Sequence, residues 1–137
     1  MTTSRSGAAV WFGRVVWIGI AANLALAVPT LIAPEQMMVF AGVPIAFPLV
    51  WVRFSALLLI LLSAFYVPAA LDLYRYPLVS WLAVAGRAAG VIFFAPQPTY
   101  RMFGTFDLVF FVPEVILLTV AMRSAAALLP ISGRAVS

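Results

Sequence analysis

The sequence predicts an all-α protein, a four-helix transmembrane bundle with a short interfacial helix in the first non-cytoplasmic loop. Two observations predict it. First, 66% of the 137 residues are hydrophobic and only 9% are charged, against roughly a quarter charged in a typical globular chain. So few charges leave nothing to solvate the outside of a water-soluble domain, and that outside must face lipid. Second, four apolar stretches, Val10–Ala33, Leu49–Leu71, Leu78–Ala95 and Phe103–Met122, each approach the roughly 20 residues a helix needs to cross about 30 Å of hydrocarbon. Backbone polar groups cannot stay unpaired in lipid, so these stretches are read as helices. The length fits a single integral membrane domain over residues 1–137.

The first stretch opens after Arg5 and contains Asn23 as an isolated polar residue, which is expected to bond across the bundle. A rival reading takes it as a signal peptide, with Ala25-Leu26-Ala27 as an A-x-A cleavage site. Arg14 interrupting the run and the apolar continuation through Ile32 favour a retained helix. Between the first two stretches, Pro34 suits the first position of a helix and Gly42 its end. Glu35–Ala41 is therefore read as a short helix lying in the interface, either a connector or a lid over a cavity. Pro113 lies inside the fourth stretch, where its ring clashes with the carbonyl of Val109 and is expected to kink the helix.

Arg supplies all eight basic residues, with no Lys, a usage that suggests a GC-rich bacterial genome. The Arg residues are scattered singly, which excludes a nucleic-acid surface despite a net charge of +4. Topology explains them instead. Arg5, Arg75, Arg123 and Arg134 lie on one side with Arg14 close by, whereas the other side has Arg101 and Glu35. Positive-inside bias then places both termini and the Asp72–Tyr76 loop in the cytoplasm of a bacterial inner membrane. Tyr74, Tyr76, Trp81 and Tyr100 sit near span ends, as interfacial aromatics do.

The chain contains neither Cys nor His. Disulfides, thiolate nucleophiles, imidazole general bases and the commonest zinc and haem ligands are thereby excluded. The chemistry-bearing residues that remain are Arg53, Arg87, Asp107 and Glu114, all inside predicted spans. There an isolated charge costs at least ~2.5–3.5 kcal/mol at the helix centre. Depth suggests how they pair. Arg53 and Asp107 each lie four residues inside helices entering from the same side, both ~6 Å below the boundary. Arg87 and Glu114 differ in depth by ~4–5 Å, which an Arg side chain spans. Asp107 and Glu114, seven apart, share one helix face with Phe110 and Phe111 between them. The expected intramembrane ion pairs are thus Arg53 with Asp107 and Arg87 with Glu114. They act either as structural bridges fixing helix order or as the walls of a polar cavity open to the outer side. Gly86 and Gly90 form a G-x-x-x-G spacing and Ala21, Ala22 and Ala25 a small face, both suited to close helix approach.

Pro34, Gly42 and Arg53-Phe54-Ser55-Ala56 opening an apolar helix resemble the small four-helix membrane proteins grouped as DoxX-like, over about residues 20–95. Ser55-Ala56 stands where that group carries Gly-type residues. The resemblance implies a bundle of the bacterial inner membrane and, since the group takes its name from a subunit of a thiosulfate:quinone oxidoreductase, association with quinone. Only Arg53 carries over, as a packing or pairing residue.

Three functions follow as expectations. The first is a non-catalytic accessory or structural subunit of a membrane complex, associated with quinone or lipid and with no cofactor required by its own residues. Its partners would be the bilayer and a larger complex or further copies of itself. The second is a small membrane enzyme acting on an apolar substrate, with Asp107 and Glu114 as acid and base. The third is a proton-coupled transporter of small hydrophobic compounds with Glu114 as the proton site.

Overall fold

The structure, a computed structural model, describes residues 6–127; Arg5 and Arg134 lie outside them. The order is α1 (Gly7–Ile32), α2 (Pro34–Phe40), α3 (Leu49–Leu71), α4 (Pro77–Phe94), a single 3₁₀ turn (Pro98–Tyr100) and α5 (Arg101–Ala127). Four of these helices, α1, α3, α4 and the 3₁₀ turn with α5, are long and apolar enough to cross a membrane. The observed spans match the sequence reading within a few residues. The fourth is the exception, running one turn further at its carboxyl end than Met122.

Local chemistry sets the ends. The Ser6 hydroxyl accepts a bond from the Ala9 amide and caps α1. Pro34 and Pro77 open α2 and α4, positions where the missing N–H removes no helix bond. Gly42, just beyond α2, has φ +67, a left-handed conformation that Gly adopts without a Cβ clash. The α3–α4 loop is pinned by Asp72, whose carboxylate accepts from the amides of Tyr74 and Arg75 at 3.0 and 3.1 Å. Pro29, Pro68 and Pro113 lie inside α1, α3 and α5, and α5 continues through Pro113 to Ala127.

The four long helices form a ring. α1 packs against α3 and α5, and α4 packs against α5 and α3, so α1 faces α4 and α3 faces α5 across the diagonals. The apolar core fills one end of this ring. Phe12, Val16 and Ile20 of α1 meet Tyr66 and Ala69 of α3, Ala83 and Val84 of α4, and Leu118 and Ala121 of α5. Tyr74 closes that end, its hydroxyl pairing with the Ser6 hydroxyl at 2.9 Å and donating to the Ala121 carbonyl at 3.4 Å. Ala25-Leu26-Ala27 lies within α1, so a cut there would remove Phe12, Val16 and Ile20 from the core. The outer face is covered with large apolar side chains, among them Trp11, Ile18, Phe65, Leu78, Ile92 and Ile116. Such a surface suits lipid.

Gly13 marks the closest approach of α1 to α3: a Cβ there would stand 2.6 Å from the Ala70 carbonyl oxygen. Gly7, at the start of the same helix, has open space around it. Gly13→Ala is expected to lower stability by about 1–3 kcal/mol, because backbone must shift, while Gly7→Ala changes it by no more than about 0.5 kcal/mol. Thermal unfolding of the two variants in detergent checks this difference.

Candidate functional site

Above the apolar core, at mid-bundle, each long helix contributes one buried polar residue: Asn23 from α1, Ser63 from α3, Arg87 from α4 and Glu114 from α5. Asn23 and Ser63 are buried between largely apolar helices, so their polar atoms find partners only within the bundle. The Arg87 Nη1 donates both to Asp107 Oδ1 at 2.9 Å and to Asn23 Oδ1 at 3.1 Å. Asn23 Nδ2 in turn donates to Ser63 Oγ at 3.2 Å, and Ser63 donates to the Leu59 carbonyl at 2.8 Å. A continuous chain of hydrogen bonds thus runs from α5 through α4 and α1 to α3. The Arg87 guanidinium is also ringed by aromatic faces, 4.9 Å from the Phe110 centroid, 5.7 Å from Phe106 and 5.9 Å from Tyr66. These contacts attract a cation most strongly where water is excluded.

Glycines make room for this centre. A Cβ on Gly90 would collide with the Asp107 carboxylate, and one on Gly86 with the Tyr66 hydroxyl. A Cβ on Gly19 of α1 would lie 2.7 Å from Arg87 Nη2. The G-x-x-x-G spacing of Gly86 and Gly90, expected to bring helix backbones together, therefore seats two polar side chains.

The ion pairing differs from the expected one. Arg87 pairs with Asp107, not with Glu114, and no ion pair joins Arg53 to Asp107 among the described residues. The reason is the ring order: Arg53 on α3 matches Asp107 in depth, but α5 lies across the diagonal, whereas α4 packs directly on α5. Arg53 lies exposed on the outer surface of α3, so the pairing role expected for it is not seen. Glu114 faces inward as predicted and is 2% exposed, in the field of Arg87 and Asp107. Its Oε2 has no hydrogen-bond partner among the described residues, and neither has Arg87 Nε. Asn23 does bond across the bundle, as its isolation in an apolar helix suggested. Ser63 and Tyr66 were not singled out by sequence; a Ser set in the apolar run from Ala56 to Leu71 was the available signal for the first.

On the far side of the polar centre from the apolar core, the helices line a half-open cavity of about 870 Å³, within the roughly 300–1,000 Å³ of small-molecule sites. Ala22, Leu26 and Thr30 of α1 form one wall, Val52, Ala56 and Leu59 of α3 another, and Phe103, Phe106 and Val109 of α5 a third. Met37, Met38 and Phe40 of α2 also line it, so the short helix forms part of its wall. Asn23 and Asp107 line the same space at the level of the polar chain, and the Asp107 side chain keeps 19% of its surface exposed. Glu114 does not line it. The cavity separates α3 from α5 at this end, a second reason why Arg53 and Asp107 stay apart.

The seat of Asp107 yields a prediction. Gly90→Ala is expected to cost about 1–3 kcal/mol by forcing the carboxylate away from Arg87. In an Asp107→Ala background the same substitution should cost much less, since the colliding group is gone. Chemical or thermal unfolding of the four proteins measures this non-additivity, and equal costs in both backgrounds would place the strain elsewhere.

The chain matches no family model, no curated protein and no solved structure, so the chemistry of the site itself carries the functional reading.

Proposed function

We propose that this chain is a small membrane-embedded binding protein, an accessory component with no reaction of its own, which holds an apolar molecule such as a quinone or a lipid in the cavity beneath α2. The observation that carries the proposal is the cavity: an apolar chamber of about 870 Å³ whose charged group, Asp107, stands at one end with Asn23. An apolar tail gains by filling such walls, and a few polar groups at one end fix the orientation of a head. The DoxX-like resemblance around Pro34, Gly42 and Arg53–Ala56 adds quinone to the candidates.

The enzyme reading is weaker on geometry. An acid and a base acting on one substrate must both reach it, but Asp107 lines the cavity while Glu114 is buried and does not. The placement proposed is a bacterial inner membrane with both termini cytoplasmic and the cavity in the outer half. Arg14, Arg75 and Arg123 cluster towards the end closed by Tyr74, which favours that orientation.

Native mass spectrometry of protein extracted in mild detergent tests the binding role. The wild type is expected to carry a non-covalent adduct of lipid or quinone mass, and Ala22→Trp, which fills the cavity from α1, is expected to lose it while remaining folded. An adduct kept equally by both proteins, or found on neither, contradicts the proposal.

A further inference from the structure

The charges at the floor of the cavity do not balance. Arg87 is 3% exposed and carries one positive charge, while Asp107 and Glu114 of α5 bring two carboxyl groups into its field. From the other elements packed around this centre, α3 presents Tyr66 and α1 the neutral Asn23. On α2, Glu35 is exposed and does not line the cavity. With both carboxyls ionised, the cluster holds a net charge of −1 where little water reaches, a state that several kcal/mol of desolvation disfavours.

Two arrangements restore neutrality. In one, Glu114 carries a proton, and the ion pair of Arg87 with Asp107 is self-balanced. In the other, both acids are ionised and a monovalent cation lies in the cavity against Asp107. The geometry provides for both: Asp107 is the acid that lines the cavity, and Glu114, buried and with an unpartnered Oε2, is the acid that does not. The two carboxyls are about 10 Å apart along α5, and Arg87 stands in the field of each. The cavity walls are apolar, so a cation that enters must carry its own apolar surface.

We propose that the site takes a lipophilic monovalent cation in exchange for one proton. The cation binds at the cavity floor beside Asp107, and Glu114 releases its proton to solution, so that the net charge of the buried cluster is zero before and after. This inference rests on the binding role proposed for the cavity and adds the charge of the ligand to it.

Tetraphenylphosphonium and tetraphenylborate share a shape and differ in the sign of their charge, and decylubiquinone is neutral. Calorimetric titration of the full chain in detergent with each probe, in two buffers of different ionisation enthalpy, reads affinity and proton release together. Tetraphenylphosphonium is expected to bind at least about tenfold more tightly than tetraphenylborate, from one unbalanced charge at short range. It should release close to one proton per cation and bind more tightly as pH rises. Glu114→Gln should bind it at least about tenfold more weakly without proton release, yet keep its affinity for decylubiquinone, which shows the cavity intact. Tetraphenylphosphonium bound without proton release, or no more tightly than tetraphenylborate, while decylubiquinone binds normally, overturns the exchange and leaves the binding role standing. Failure of all three probes to bind overturns both. Should Glu114→Gln not fold, proton release and charge selectivity in the wild type decide the matter.

Discussion

A guanidinium buried in the middle of an apolar bundle constrains everything around it. Arg87 cannot release its proton and cannot reach water, so it must be surrounded by acceptors and carboxylates. One of its nitrogens binds Asp107 and Asn23, and Asn23 passes the chain of hydrogen bonds on to Ser63. Because those four side chains come from four different helices, satisfying one cation fixes the relative rotation and depth of all of them. Hydrophobic burial offers no such specificity here, since lipid tails are as apolar as the Leu and Val side chains of the helices.

The polar layer also divides the molecule. On the Tyr74 side, Phe12, Val16, Tyr66 and Leu118 fill the interior. On the α2 side, the helices separate around a chamber of about 870 Å³. Side chains fill the bundle at one end, and α2 helps line the space at the other. Glycines recur where polar groups need room: Gly19 beside Arg87, Gly86 beside the Tyr66 hydroxyl and Gly90 beside the Asp107 carboxylate. Binding, as proposed, uses the open chamber, and the charged layer is both its floor and the structural keystone.

The spans and the short helix were legible in the sequence because lipid imposes simple requirements: length, apolarity and internally satisfied backbone. Pro34 and Gly42 marked the ends of α2 through the conformations those residues favour. Asn23 was legible as a cross-bundle bond because a solitary amide in an apolar helix has few other options. The partners of the charges were not. Counting residues from a span end gives depth, and by depth Arg53 suits Asp107 well. It does not give the order of helices around the ring, and that order places Arg87 beside Asp107 and Arg53 on the exposed face of α3. The cavity was equally hidden, since Ala22, Ala56 and Leu59 read as ordinary small and apolar positions until the long helices and α2 are seen around them.

A double-mutant cycle on Arg87 and Asp107 tests the central claim most directly, using Arg87→Met, Asp107→Leu and the pair together. Asp107→Leu leaves the buried Arg87 without its paired carboxylate and should destabilise the bundle strongly, by about 3–5 kcal/mol, while Arg87→Met leaves the part-exposed Asp107 unpaired and should cost less. The double substitution removes both charges and should recover much of that loss, giving a coupling energy well above about 1 kcal/mol. Additive losses, with no coupling between the two positions, would mean that this ion pair does not organise the bundle.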